Sequence, residues 1–386
     1  MNCRRMIIGG HSVVCAVLAV AWLLCVGVDS SIAAPSISSV SGTVANGQAI
    51  TITGSSFGAG PNVLLFDDFE KGTNGNSIST GSGSAEVGQW NSVTGMLAVP
   101  VYSNAQKVSG NLSALMVGGA NGDYYNRLIA AIPSATQVFV SSWMWIDYMP
   151  VVPGLGVNWK SIWMMDTGTA DKDLLIPLYL GGAGSQTGSF TGEYGGNWLN
   201  PYADYSGPTL TTGHWLRTWI FADGTSDGKY VQSWELTSSG VVQDATSANS
   251  NPNVCGNGPW FNFTGGSSSW QTIYFNGYMP DGYTQGQNSH AHFDDIYIAT
   301  GPNAMARVEI GNASTYKACT NLTIVTPTSW SASSITATVR QGSFGSSGSA
   351  YLYVLDASGT PNANGYPITF GGGSTAPAIP TGLHQE

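Results

Sequence analysis

The sequence predicts an all-β protein, and three observations carry that prediction. Apolar and polar residues alternate in short runs, the period of a strand and not of a helix. Gly, Pro, Asn-Gly or Asp-Gly interrupts nearly every run, so each segment is of strand length and ends in turn chemistry. Only 9% of the 386 residues are charged while 42% are hydrophobic and 51 are glycine, which suits packed cores and uncharged polar loops better than disorder.

Taken in order, residues 1–33 read as a secretory signal. Arg4 and Arg5 precede an apolar run over 13–28 and a small-residue exit, Ser31-Ile-Ala-Ala, with the cut expected after Ala33. The competing reading is a membrane anchor, since the apolar run is nearly span length. Cleavage would remove Cys3, Cys15 and Cys25. Cys255 and Cys319 remain, enough for one disulfide or two separate thiols and too few for a cysteine metal cage.

The net charge of −10 excludes nucleic acid and anionic membrane surfaces as partners, because both need basic patches, and no later segment is apolar enough for membrane insertion. Strands are expected over 137–146, 159–165, 215–221, 230–236, 271–275 and 293–298. In the first of these, alternation puts Val138, Val140, Met144 and Ile146 on one face and Phe139, Trp143 and Trp145 on the other. Both faces are apolar, so this strand is expected to be central and covered on both sides. Residues 372–386 have linker composition and are read as a flexible tail.

Two resemblances organise these strands. The stretch Pro35-Ser-Ile-Ser-Ser-Val-Ser-Gly, continuing to Ala49-Ile-Thr-Ile-Thr-Gly-Ser-Ser-Phe-Gly, resembles the opening of an IPT/TIG domain, an immunoglobulin-like module. Its continuation is found only beyond residue 304, as Ala306-Arg-Val-Glu-Ile-Gly, Asn321-Leu-Thr-Ile-Val-Thr-Pro and Ala350-Tyr-Leu-Tyr-Val-Leu. The intervening piece opens with Leu65-Phe-Asp-Asp-Phe-Glu-Lys-Gly and closes with His292-Phe-Asp-Asp-Ile-Tyr-Ile, which resemble the first and last strands of concanavalin A-like jelly rolls. The implied architecture is a jelly-roll β-sandwich over 66–303, inserted into an IPT/TIG sandwich made of 35–65 plus 304–371. Adjacent first and last strands would bring the ends of the insert together, as insertion requires.

The jelly-roll resemblance also implies a structural Ca²⁺ held by acids of those two strands, mapped onto Glu70 and Asp295. Clustered carboxylates otherwise repel, and hard oxygen donors suit calcium; the alternative is solvated strand-end acids. The acidic stretch 166–173 lacks the Gly and terminal Glu of a calcium loop and is read as a turn. The paired-carboxylate strand motif of hydrolases with this fold, Glu-x-Asp-x-x-Glu, is absent; Glu193 and Glu235 stand as single acids.

A lyase would need a cation to neutralise a uronate and a Tyr or His to move a proton, for which Lys160, Tyr179, His214 and Arg217 are candidates, with Glu193 a further acid. Each also reads as an ordinary strand or turn residue. His290 and His292 flank Ala291, too few ligands for zinc. Trp198, Tyr202, Tyr205 and Trp260, with Phe261, Tyr278 and Tyr283, fall in Gly/Asn/Pro-rich stretches where exposed rings could stack on sugars.

Three functions fit these features: glycan binding or adhesion by a secreted or surface-displayed protein, a polysaccharide lyase or glycoside hydrolase, and a structural spacer. Between Phe66 and Thr300 there are 18 acidic and 7 basic residues, which favours a neutral glycan as partner. A Lys160/Arg217 cluster is what could overturn that average.

Overall fold

The structure, a computed structural model, describes residues 33–95, 98–118, 126–152, 156–165, 173–181, 186–194, 197–199, 209–225, 230–246, 269–279 and 289–371, with the backbone alone over 151–158, 173–199, 230 and 244–246. Every described element is a strand except one three-residue 3-10 turn, Tyr316–Ala318. The expected signal (1–33) lies almost wholly outside the described residues, and the tail (372–386) entirely so.

One sheet of seven strands runs Ser36–Gly42, Ala49–Ser55, Ser334–Thr338, Leu322–Trp330, Arg307–Gly311, Gly348–Leu355, Tyr366–Phe370. Its first two strands come from the N-terminal stretch and its other five from beyond residue 300. The antiparallel ladder between Ala49–Ser55 and Ser334–Thr338 joins the two separated pieces. The sheet folds over on itself through its longest strand, whose first half pairs with Arg307–Gly311 and whose second half pairs with Ser334–Thr338. The register shifts just after Pro327, at a bulge where a missing N–H is tolerated. Alternate side chains such as Val40, Ile50, Ile52, Val308, Ile310 and Val354 fill the enclosed core, giving a small β-sandwich.

Between those pieces lie two larger sheets packed face to face. The nine-stranded sheet has Gly156–Met165, Trp270–Tyr278 and Asn126–Ala135 as neighbours at its middle. The eight-stranded sheet is built around Leu216–Asp223, Gln137–Ile146 and His290–Thr300. Leu128, Trp159, Ile162 and Phe275 of the first sheet meet Val140, Met144, Ile220, Phe293 and Ile298 of the second in one core. Fully burying a side chain of this size stabilises by about 1.5–3 kcal/mol, so this core outweighs any surface term. The opening strand Asn62–Asp67 pairs with the closing strand His290–Thr300, so the insert begins and ends at one place.

The outer face of the eight-stranded sheet is covered by the small sandwich. Phe66, Phe139, Trp219, Phe221 and Tyr297 pack against Met305, Leu322, Ile324, Tyr353 and Leu355. The strand with two apolar faces therefore has two cores to serve: Val138, Val140, Met144 and Ile146 in the jelly roll, Phe139 at the seam between sandwiches, with half-buried Trp143 against it.

Candidate functional site

The outer face of the nine-stranded sheet carries a platform of rings and cations that includes Lys160. Lys160 pairs in register with Tyr278 and Trp163 with Tyr274, and a bulge lies between Lys160 and Ile162. The extra residue breaks the period of two. Lys160 and Trp163 thereby share the outer face while Trp159, Ile162 and Met164 point inward. The adjoining strand adds Arg127.

The Arg127 guanidinium lies 4.8 Å from the Tyr274 ring centroid and 5.4 Å from that of Trp163, and its Nε donates to the Gly277 carbonyl. Lys160 Nζ lies 4.2 Å from the Tyr278 ring and 5.4 Å from Trp163. Trp163 and Tyr274 meet edge to face at 6.3 Å. Each such cation–ring contact is worth roughly 0.5–2 kcal/mol and holds the rings in place.

Asn276-Gly277 lies inside the Trp270–Tyr278 strand, so here the dipeptide is not a turn and Tyr278 is not in a loop. Asn276 adopts φ 58° and buries its amide, accepting from Trp159 Nε1 (2.7 Å) and donating to the Asn126 carbonyl (2.8 Å). A Cβ on Gly277 would stand 2.7 Å from that of Trp163, so only glycine lets this indole lie across the strand.

Arg217 is on the opposite side of the jelly roll, and no Lys160/Arg217 cluster exists. Its strand's outer face meets the small sandwich, where its Nη2 donates to Glu309 Oε1 at 2.5 Å. Arg307 lies 3.3 Å from the same oxygen, and the Tyr316 hydroxyl donates to Glu309 Oε2 at 2.5 Å. Arg217 also stacks 5.0 Å from the Trp219 ring. All three charged side chains are buried. Burial by itself would raise the Glu309 carboxyl, but Arg217 and Arg307 together bring it below its ordinary value. Arg217 thus joins two sandwiches and presents no cation to solvent.

Glu70 and Asp295 do come together, in a polar cleft of about 330 Å³ where the two sandwiches meet. The jelly roll contributes Asp68, Glu70, Glu86, Ser109 and Asp295, the small sandwich Asn46, Arg340 and Gln341. Glu70 is already well satisfied: Oε1 accepts from the backbone N–H of Asn111 (2.6 Å) and Leu112 (2.7 Å), and Oε2 from the Asn111 amide (3.1 Å). A Cβ on Gly110 would fall 2.3 Å from Glu70 Cδ, so this loop wraps the carboxylate closely.

Asp295 differs. It sits at a bulge of the closing strand with φ 45°, and Ser109 Oγ donates to its Oδ1 at 2.8 Å. Its Oδ2 is buried and has no partner. Burial first, and the charge of Asp68 second, push the carboxyl up to about 7. Arg340 approaches Glu86 Oε2 at 3.5 Å and Asp68 Oδ2 at 3.7 Å, distances long enough to leave neither acid fully neutralised. As a calcium site the cleft is incomplete in side chains: among the described residues no three acidic, imidazole or thiol groups converge on one point. Backbone carbonyls and water would have to complete the shell.

The remaining candidates separate. His214 is an exposed turn residue whose Nδ1 lies 3.1 Å from the Thr212 carbonyl. His290 and His292 share a face but have different partners: His290 Nδ1 pairs with Asp147 Oδ2 at 2.5 Å, whereas His292 is buried with Nδ1 2.9 Å from Ser113 Oγ. Glu235 accepts from the Thr209 N–H.

Tyr179, Glu193 and Trp198 lie on strands Asp173–Gly181, Gln186–Tyr194 and Asn197–Leu199, where the backbone alone is described. Tyr202, Tyr205, Trp260, Phe261 and Tyr283, residues 166–172 of the acidic stretch, and Cys255 lie outside the described residues. Cys319 is a buried free thiol.

No protein-family model matches the sequence, and no curated protein is significantly similar to it. Among solved structures, a cellulose-induced protein, Cip1, is 23% identical over 61% of this chain and 97% of its own, with a TM-score of 0.40. The catalytic domain of a glycoside hydrolase family 131 protein from Coprinopsis cinerea is 13% identical over 62% of this chain and 95% of its own (TM-score 0.36). An endo-β-1,4-glucuronan lyase from the fungus Trichoderma reesei is 10% identical over 60% and 98% (TM-score 0.34).

Proposed function

We propose that this chain is an exported glycan-binding protein. Its binding surface is the outer face of the nine-stranded sheet, and the small sandwich, an IPT/TIG-type module, braces the back of the jelly roll. The observation that carries this reading is the platform of Trp163, Tyr274 and Tyr278 with Lys160 and Arg127 lying over their rings. Sugar rings present apolar C–H faces to aromatic rings and hydroxyls to polar groups, and this platform supplies both. The small sandwich covers the other sheet's outer face, so the platform stands on the side of the jelly roll away from that seam.

The described acids with raised pKa lie at the end of the insert's first strand (Asp67, Asp68) and at the bulge within its last strand (Asp294, Asp295), and not on this platform. A structural Ca²⁺ would enter the cleft beside them, meeting the unpartnered Asp295 Oδ2.

Lys160 Nζ over the Tyr278 ring supports polysaccharide lyase activity as a second reading, with Lys160 neutralising a uronate and Tyr278 moving the proton. One experiment tests both. The full chain is titrated with neutral and uronic-acid oligosaccharides by calorimetry, and the mixtures are monitored for unsaturated ends by ultraviolet absorbance. Trp163→Ala should weaken binding by about 1–3 kcal/mol with the fold intact. Unsaturated ends that vanish in Tyr278→Phe would replace binding with the lyase reading. No affinity for any glycan would remove both.

A further inference from the structure

We infer that the molecule has a second sugar-binding strip, on the face opposite the platform and beyond the edge of the small sandwich, and that it takes neutral glycans. The small sandwich covers Phe139, Trp219 and Tyr297 of the eight-stranded sheet and leaves the far end of the same face only partly buried. There, three rings line up across adjoining strands. Leu216 pairs with Met144, which sets Trp215 beside Trp145; Trp145 pairs with His292; and His292 pairs with Leu115. The Trp145 and Trp215 ring centroids lie 5.5 and 6.5 Å from that of His292, at 78° and 68° to its plane. Both indoles remain partly exposed while the imidazole between them is buried.

Polar groups at this strip are disposed to meet hydroxyls. Ser113 Oγ donates to the Gln106 carbonyl at 2.6 Å, so His292 Nδ1 must be the donor in its 2.9 Å contact with Ser113. The neutral ring therefore carries its acceptor lone pair on Nε2, which has no protein partner among the described residues. Burial, and then the charge of His290, lower the His292 pKa to about 4, so the acceptor persists at ordinary pH. Two residues along each strand, Asp147 and His290 form an exposed pair that adds further donors and acceptors. The titratable groups here, His292, His290 and Asp147, include no permanent cation. A uronate would meet no cation at this strip beyond His290, which Asp147 already pairs, whereas a pyranose offers its C–H face to the indoles and a hydroxyl to Nε2.

The test uses the full chain and hexaoses of β-1,4-glucose, β-1,3-glucose, β-1,4-xylose and β-1,4-mannose, with binding followed by calorimetry. Trp163→Ala removes the platform and should leave one class of sites for a neutral hexaose. Trp145→Ala with Trp215→Ala should weaken that class about tenfold or more, and Trp145→Phe should retain part of it. Near-UV circular dichroism checks that each variant is folded; if the double variant is not, Trp215→Tyr and His292→Gln serve in its place. Failure of Trp163→Ala protein to bind any of the four hexaoses overturns the second strip while leaving the platform reading intact. So does undiminished binding by folded variants of Trp145 and Trp215.

Discussion

The outer faces of the two jelly-roll sheets are made of the same materials. On the nine-stranded sheet the Arg127 guanidinium lies 4.8 Å from the Tyr274 ring, and on the eight-stranded sheet Arg217 lies 5.0 Å from the Trp219 ring. The difference is what the guanidinium reaches next. Arg127 donates to a backbone carbonyl, Gly277, and stays partly exposed. Arg217 ends on a buried carboxylate from another sandwich, shared with Arg307. A cation over a ring is therefore not itself a sign of a ligand site. The buried carboxylate of the small sandwich makes one such surface a seam; on the other, the proposed glycan would be what the rings meet.

The strongest way to break this comparison is to remove the shared anion. Glu309→Ala leaves Arg217 and Arg307 buried without their carboxylate and should cost about 3–5 kcal/mol in urea denaturation. Arg127→Ala should cost far less. Equal losses from the two variants would erase the distinction between seam and platform. The same pair sets an acid limit: with its folded pKa lowered, Glu309 stabilises fully above the unfolded value near 4.3, and that contribution disappears as pH falls through the folded value.

Next in size is the junction cleft, where the sign is reversed. Asp295 titrates near 3.9 when unfolded and at about 7 when folded, so the folded state holds its proton more tightly. Stability is then lost as pH rises from about 4 to about 7. Asp295→Asn should flatten that slope relative to the parent, and Asn is among the residues best able to keep φ 45°. Asp67, raised to about 8, acts in the same direction in both proteins and cancels in the difference. If Ca²⁺ binds here, at 100 times its Kd it adds about 2.7 kcal/mol. The melting-temperature gain should appear at pH 8, fade at pH 5 and be abolished by Glu70→Gln or Asp295→Asn. No gain after chelator treatment and calcium addition would dispose of the metal.

Smaller effects sharpen the contrast. Arg127→Ala should weaken glycan binding at the platform by about 0.5–2 kcal/mol, read by calorimetry. Tyr316→Phe removes the hydroxyl shared by Glu309 and Arg307 and should cost about 1 kcal/mol of stability without touching glycan affinity. A change in affinity with Tyr316→Phe would show that the two faces communicate.

Alternation made the strands legible, and the two apolar faces of 137–146 announced a strand covered on both sides. The platform was hidden by its bulge. A strict period of two puts Lys160 with Ile162, not with Trp163, and only a register shift brings cation and indole together. Rings in loops stand out as sugar ligands, whereas Trp163 and Tyr274 lie inside the expected strands 159–165 and 271–275, where nothing local marks them. Arg217 was misleading for another reason: its partner Glu309 lies on the far side of the insert's C-terminal boundary, and no local spacing connects them. Glu70 and Asp295 line one cleft, as the adjacent first and last strands implied by the jelly-roll resemblance would have it, while their role as metal ligands stays a proposal.

The ladder between Ala49–Ser55 and Ser334–Thr338 has a consequence for how the chain is made. Synthesis delivers the hairpin of Ser36–Gly42 and Ala49–Ser55 first, and its neighbour only after the whole insert. Until residue 338 has emerged, Ile50 and Ile52 lack the strand beside them, and one edge of the hairpin remains open to pairing with another chain. The jelly roll can assemble in that interval from strands that lie within 62–300, so the waiting hairpin hangs from a body that is already folding. Closure of the small sandwich is then the late, slow, long-range event. A nascent chain stalled short of residue 334 would carry a complete jelly roll and an exposed aggregation edge at once.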